Sequence, residues 1–402
     1  MSHTDVLHNP QAVREGASAL SDEISRIMFP PSACAAAGAV IRQWAGYAPT
    51  PLRSLVGLAA ETGVGAIHYK DESGRFGLGS FKALGGAYAV FTLLVDEIEQ
   101  RTGRRPTADE LARGAHRSIT GGFAIASATA GNHGRSVAWG AQMFGCPCAI
   151  YIHSGVGEDR AQAIARYGAK LVRVAGDYDE SVRVAAADAA EHGWTVVSDT
   201  SYPGYMEIPR RVMLGYTVMM DEVAHALERP PTHVLVPAGV GGLAAAVAAH
   251  ALFTWGDSRP RFIVVEPELS DCLFQSARQG RLARARGPLG SQLLGLDCGD
   301  PSPIAWEVLS RLADDFVLIS DAAALSAMRR LNRIPAEDGT TIEAGECAGA
   351  GLTVLLEAAQ RPALAASLGL GRDSRVLLIG TEGHTDPEAC RRILRPDAAV
   401  AS

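Results

Sequence analysis

The feature that most constrains this chain is a regular alternation of two kinds of apolar pattern. Nine short apolar runs recur along its 402 residues: GAIHYKDE, FAIASATA, PCAIYIH, AKLVRVAG, WTVVSDT, THVLVPAG, RFIVVEP, DFVLIS and RVLLIG. Each is bounded by Gly, Pro or polar residues and has the length of a strand. Between them lie stretches with apolar residues at helical spacing, among them GRSVAWGAQMFG, RAQAIARYG, YDESVRVAAADAAEHG and the segment from Met213 to Leu227. Apolar strands alternating with helices are the pattern of an open, twisted, doubly wound and mostly parallel α/β sheet. Residues 95 to 120 are charged and carry Thr107-Ala-Asp-Glu, a capping-box sequence that starts a helix. That stretch reads as a surface excursion.

Composition narrows the function classes. The chain is 47% hydrophobic and 20% charged, with a formal net charge of −7. An acidic balance disfavours nucleic acid or an anionic membrane as the main partner. MSHTDVLHNP shows no basic region followed by an apolar core, and no run of eighteen apolar residues occurs, so a soluble cytoplasmic protein is expected. The seven cysteines are an odd number in such a chain and read as thiols. Cys146 and Cys148 form a C-P-C step without a second pair at ligand spacing, so no metal site is expected.

Four segments carry chemistry. In GLGSFKALGGAYAV (residues 77 to 90), Lys82 follows a Gly-rich loop and opens an apolar helix. Desolvation there favours the neutral amine that an aldehyde cofactor requires, although a lysine extending from a helix end reads equally well. In SATAGNHGRSVAWG (127 to 140), a strand ends in a Gly-Asn-His-Gly turn whose amides suit a carboxylate, or which is simply a turn. In VLVPAGVGGLAAAVAAH (234 to 250), a buried strand enters a Gly-rich loop and a small-residue helix, an arrangement that cradles phosphate. It lacks both the G-x-G-x-x-G register and a G-K-[ST] sequence, which disfavours dinucleotides and nucleoside triphosphates. In RVLLIGTEGHTD (375 to 386), a late strand ends in a polar turn bearing Thr381.

Together and in this order the segments resemble the fold-type II pyridoxal-phosphate enzymes. Within these the chain resembles the diaminopropionate ammonia-lyase family over nearly its whole length. The stretches that carry the likeness are FKALGGAYAV, GNHGRSVAW, SDTSYPGYMEIP, THVLVPAGVGGLA, VVEPELSDC, GLDCGDPSP, GECAGAGL and GTEGHTD. The resemblance implies two α/β domains with the cofactor, pyridoxal 5'-phosphate, in the cleft between them. The larger would comprise 1–89 and 211–402, and the smaller, inserted one 90–210. It implies that Lys82 binds the cofactor as an imine and later takes the Cα proton. Phe81 would pack beside the cofactor and Asn132 would bond its phenolic oxygen. The amides of Gly239, Val240, Gly241, Gly242 and Leu243 would hold the phosphate, and Thr381 would face the pyridine nitrogen. Asp199 would hold a substrate's β-ammonium. Ser127, Ala130, Gly131, His133 and Tyr202 would contact the small amino-acid substrate, and a homodimer is implied.

Two positions depart from the family's pattern. Ala130 stands where the family reads aspartate in D-G-N-H, a residue that serves as base toward D-substrates. Cys347 and Ala348 stand in GECAG, where the family reads G-E-S-G. The expected reaction is β-elimination from 2,3-diaminopropionate or a related β-substituted L-amino acid, through an aminoacrylate, to pyruvate and ammonia. Serine, threonine or a bulkier β-amino substituent, or β-replacement, are the alternatives.

Overall fold

The computed structural model describes residues 4–129, 131–334 and 339–395. Its strands are β1 (Asp5–His8), β2 (Leu52–Ser54), β3 (Ala66–Asp71), β4 (Ile125–Ala128), β5 (Cys148–His153), β6 (Lys170–Val174), β7 (Thr195–Val196), β8 (His233–Pro237), β9 (Arg261–Pro267), β10 (Asp315–Ile319) and β11 (Arg375–Gly380). The nine apolar runs of the sequence are β3 to β11. Two sheets result, one ordered β1-β10-β9-β8-β11-β3-β2 and the other β6-β5-β4-β7. All pairings are parallel except β1 with β10 and β2 with β3, the two edges of the larger sheet. The chain divides into two compact units.

The first unit comprises Met1–Pro31, Pro49–Ser80 and Met219–Ser402 and holds the larger sheet. Strands β8, β9, β10 and β11 are buried almost end to end, as parallel strands covered on both faces must be. Leu235, Ile263, Val317 and Leu378 are fully buried in one core. Each contributes up to about 1.5–3 kcal/mol by leaving water.

A buried charge cluster in this unit holds the segment that leads toward Lys82. Lys70 on β3 donates to Glu222 (2.6 Å) and to the Thr50 carbonyl (2.7 Å). Arg75 donates to both oxygens of Glu72 (2.8 Å each) and both of Glu222 (2.7 Å each). Two cations and two carboxylates thus cancel, which makes their burial tolerable; removing one partner from such a set typically costs about 3–5 kcal/mol. The pairing fixes the short 3₁₀ helix Glu72–Gly77 against β3.

The second unit comprises Ser32–Ala48 and Phe81–Val218 and holds the smaller, wholly parallel sheet. Its boundaries fall at Phe81 and Val218, where the sequence reading drew 90 and 210, and it takes in Ser32–Ala48 as well. Trp44 explains that addition: its ring packs edge-on against Trp139 and Phe144 at 5.9 and 5.8 Å. The helix Lys82–Thr102 is buried on all sides from Ala83 to Phe91, as its unbroken apolar sequence dictates. Ser136 ties it to the helix Asn132–Phe144, accepting from the Ala87 amide (3.0 Å) and donating to the Ala83 carbonyl (3.2 Å). The helix runs to Thr102, so the start of the charged 95–120 stretch is helical, and Thr107 with Glu110 forms the expected capping box. Among the described residues no single helix is long and apolar enough to cross a membrane.

Candidate active site

In the second unit Lys82 is the first residue of its helix, so its side chain leaves the apolar helix body at the open end. Nζ donates to Asp199 Oδ2, with both side chains about four-fifths covered. The amine lies 5.4 Å from the Phe81 ring centre and 5.9 Å from that of Tyr216, and these rings meet edge to face at 4.8 Å. Ring faces beside a cation are attractive, so three groups converge on one ammonium. Burial would raise the Asp199 carboxyl, but chiefly the charge of Lys82 outweighs it and holds the group well below the usual carboxylate range.

Asp199 follows β7 on a segment fixed from β4 and from the turn after it. The Val197 carbonyl accepts from Ser127 Oγ (2.7 Å) and from His133 Nε2 (3.1 Å). Ser127 is buried and its hydroxyl is committed to this bond. His133 stands in the first turn of Asn132–Phe144, with Nδ1 3.9 Å from Asp199 Oδ2. Burial lowers its pKa; Asp199 opposes this and Lys82 reinforces it. The imidazole is therefore neutral near pH 7, with its hydrogen on Nε2. Asn132 is half-buried at the helix start and Gly131 is exposed beside it. Tyr202 is exposed and stacks on Tyr205 at 4.8 Å, while the Tyr205 hydroxyl donates to Val196 (2.8 Å) and accepts from the Ser198 amide (2.9 Å). Ala130 lies outside the described residues. Lys82, Phe81, Asp199 and His133 are thus gathered in this unit, while Tyr202 and Gly131 face solvent. Tyr216 and Tyr205 were missed by sequence reading; the aromatic residues of DTSYPGY were the one signal for Tyr205.

In the first unit β8 runs into Gly239, Val240 and Gly241, and the helix Gly242–Trp255 follows. A Cβ on Gly239 would lie 2.9 Å from Cys298 Sγ and 3.2 Å from the Gly295 carbonyl, so any side chain is excluded. Gly241 has φ +97°, in the left-handed region. Leu243 is buried in the first helical turn. At the end of β11 Thr381 is buried, and its hydroxyl is bonded to the Glu382 carboxyl at 2.5 Å. Glu382 also accepts from the amides of Cys347 (2.9 Å) and Ala348 (3.1 Å). Burial, and then the charge of Glu346, push its pKa up to about 8. A neutral Glu382 can donate to Thr381 and leave the threonine's own hydrogen for another acceptor. Sequence reading saw Thr381 in T-E-G but not the acid behind it.

A part-buried lysine with a carboxylate beside it in one unit, and a Gly-rich strand-to-helix turn in the other, are features of an amine-handling, cofactor-dependent enzyme class. Residues 44–382 match the family model described as pyridoxal-phosphate dependent enzyme. Diaminopropionate ammonia-lyase of Escherichia coli (strain K12) is 38% identical over 356 residues, covering 87% of this chain and 88% of that one. Two crystal structures of the E. coli enzyme, one in complex with D-serine and one with an aminoacrylate-PLP azomethine reaction intermediate, are each 34% identical. Each match covers 98% of this chain and 97% of the other, with TM-scores of 0.85 and 0.84. This chain therefore belongs to the pyridoxal-phosphate dependent enzymes and, within them, to the diaminopropionate ammonia-lyase family.

The residues present fit that cofactor. A primary amine with a partly accessible side chain is available at Lys82. A Gly-rich turn, with Gly239 packed against Cys298 and Gly241 in the left-handed region, opens onto a helix N-terminus whose first amides have no partner within the helix.

Proposed function

We propose that this chain is a pyridoxal-phosphate-dependent ammonia-lyase that eliminates the β-amino group of L-2,3-diaminopropionate, giving pyruvate and two molecules of ammonia with uptake of one water. The observation that carries the reading is the carboxylate of Asp199, ionised and facing an ammonium, beside the family's lysine.

Lys82 would hold the cofactor, with Phe81 beside it. Asn132 would donate to its phenolic oxygen, the amides of Gly239 to Leu243 would grip its phosphate, and Thr381 would meet its ring nitrogen. When bound, the cofactor withdraws electrons from the substrate's Cα and acidifies the Cα–H bond. Lys82 Nζ, in its neutral form, takes that proton. The Cα–H electron pair becomes the Cα–Cβ π bond, and the Cβ–N pair departs with nitrogen as neutral ammonia. The leaving group enters already protonated, so no acid need act on it; Asp199 holds it in that charged form. The amides of the Gly131–His133 turn would receive the substrate carboxylate. The same reading takes the working form to be a cytoplasmic homodimer.

The deciding experiment supplies the purified protein with pyridoxal phosphate and each of L-2,3-diaminopropionate, L-serine and L-threonine, then measures keto acid and ammonia. The expected result is the highest kcat/KM with diaminopropionate and two ammonia per pyruvate. Faster turnover of serine or threonine would replace the reading with a dehydratase.

A further inference from the structure

His133 has one committed nitrogen and one open one. The Val197 carbonyl can only accept, so the Nε2 facing it at 3.1 Å carries the hydrogen and Nδ1 carries the lone pair. His133 is 5% exposed, and among the described residues Nδ1 has no hydrogen-bond partner. Asp199 Oδ2, another acceptor, lies 3.9 Å from it. Two acceptors that far apart make no bond and repel each other, and an unpaired buried acceptor is costly. A cationic donor with several hydrogens placed against both would relieve that cost. An alkylammonium has three such hydrogens; an alkyl hydroxyl has one and can serve only one of the two acceptors.

We propose that His133 is a specificity-determining residue whose Nδ1 lone pair, with the Asp199 carboxylate, receives the β-ammonium of the substrate. The inference rests on the function proposed above and assigns its leaving-group site. The imidazole stays neutral throughout: it accepts a hydrogen bond from the ammonium and takes no proton, because the departing ammonia already carries its three hydrogens. The Nε2–H bond to Val197 fixes the ring so that Nδ1 cannot turn away, and the 64-residue separation makes that constraint a property of the fold. In this structure the ammonium on Asp199 is that of Lys82, so the carboxylate is already arranged to receive an alkylammonium.

The test uses His133→Gln in the holoenzyme. A glutamine amide can still donate to the Val197 carbonyl through Nε2, but its one acceptor, Oε1, is two bonds from Cγ where Nδ1 is one, so it cannot stand in the Nδ1 position. β-Chloro-L-alanine, which leaves as chloride and needs no ammonium site, is the comparison substrate. The ratio of kcat/KM for L-2,3-diaminopropionate to that for β-chloro-L-alanine should fall about tenfold or more, the scale of a lost hydrogen bond to a charged group. Equilibrium binding supplies a second readout with α-methyl analogues, which have no α-proton to lose. The variant should bind 2,3-diamino-2-methylpropionate about tenfold more weakly relative to 2-methylserine. An unchanged ratio in either comparison, with diaminopropionate turnover intact in the parent enzyme, would overturn the proposal. So would nitrogen-15 NMR of the unmodified protein showing the hydrogen of His133 on Nδ1. A parent enzyme that eliminates chloride but yields no pyruvate from diaminopropionate would defeat the functional reading itself.

Discussion

Replacing Asp199 by asparagine changes almost no volume and removes one charge, so it isolates the electrostatic part of the site. In the structure that charge holds the Lys82 ammonium and faces His133 Nδ1 at 3.9 Å. Two unit charges in contact near a protein surface attract by about 4 kcal/mol at an effective dielectric of about 20. The side chain is 20% exposed, and solvent screening brings the net value nearer the roughly 1.5–3 kcal/mol of a charged hydrogen bond. The introduced carboxamide can also turn its N–H toward His133 Nδ1 and occupy the acceptor that the ammonium needs. Asp199→Asn should therefore lower kcat/KM for L-2,3-diaminopropionate about ten- to a hundredfold beyond any loss seen with L-serine or β-chloro-L-alanine. Pyruvate release followed with a coupled dehydrogenase measures both rates in one format. Equal losses on charged and uncharged leaving groups would refute the assignment and leave Asp199 as a cap for the turn that follows it.

Lys82→Ala should abolish turnover and the visible absorbance of lysine-bound cofactor; retention of both would remove Lys82 from the mechanism. The methyl group of Ala130 cannot accept a proton, so D-2,3-diaminopropionate should react at least about a hundredfold more slowly than the L-form, and Ala130→Asp should restore part of the difference. Comparable rates on both enantiomers in the parent enzyme would show another base. Glu382 has its folded-state pKa raised from 4.5 to about 8, so the folded protein keeps a proton that the unfolded chain has lost between those values. Its contribution to stability is complete below the lower value and falls as pH rises to the upper one, by at most about 1.4 kcal/mol per pH unit. Glu382→Gln, permanently neutral and still an acceptor for Cys347 and Ala348, should flatten that fall in denaturant unfolding measured from about pH 5 to about pH 8; an unchanged slope would show that Glu382 is ionised in the folded state.

The parts of this molecule legible in the sequence are those with local causes. Strands β8 to β11 announce themselves because both faces are buried, so each is a nearly continuous apolar run with most of its polar residues at the ends. β1 and β2 are invisible for the opposite reason: DVLH and LRS are short antiparallel edges, half exposed, with nothing in their composition to separate them from loop. Lys82 could be singled out because an apolar helix opening on a lysine is locally odd. The cluster of Lys70, Glu72, Arg75 and Glu222 could not, because the charges of KDESGR look like the ordinary polar end of an apolar run and the fourth member lies 152 residues from Lys70. The state of His133 is hidden in the same way. It depends on a carbonyl whose position only the tertiary fold supplies.

The Lys82–Asp199 pair sets a requirement that the proposed substrate itself can meet. A carboxylate beside Lys82 favours the ammonium, yet the elimination needs a neutral amine to take the Cα proton. An enzyme with one anion and one cation in this place would hold its base in the wrong form. A substrate that brings a second ammonium to the same carboxylate changes the balance. Asp199 is then shared between two cations, the neighbouring positive charge disfavours protonated Lys82, and the lysine becomes the easier of the two to deprotonate because the substrate's ammonium has a second acceptor in His133 Nδ1. On this reading the charge on the leaving group is recognised and also releases the base. Serine, whose hydroxyl brings no charge, would leave Lys82 and Asp199 paired, which is a reason for discrimination that pocket size alone does not provide.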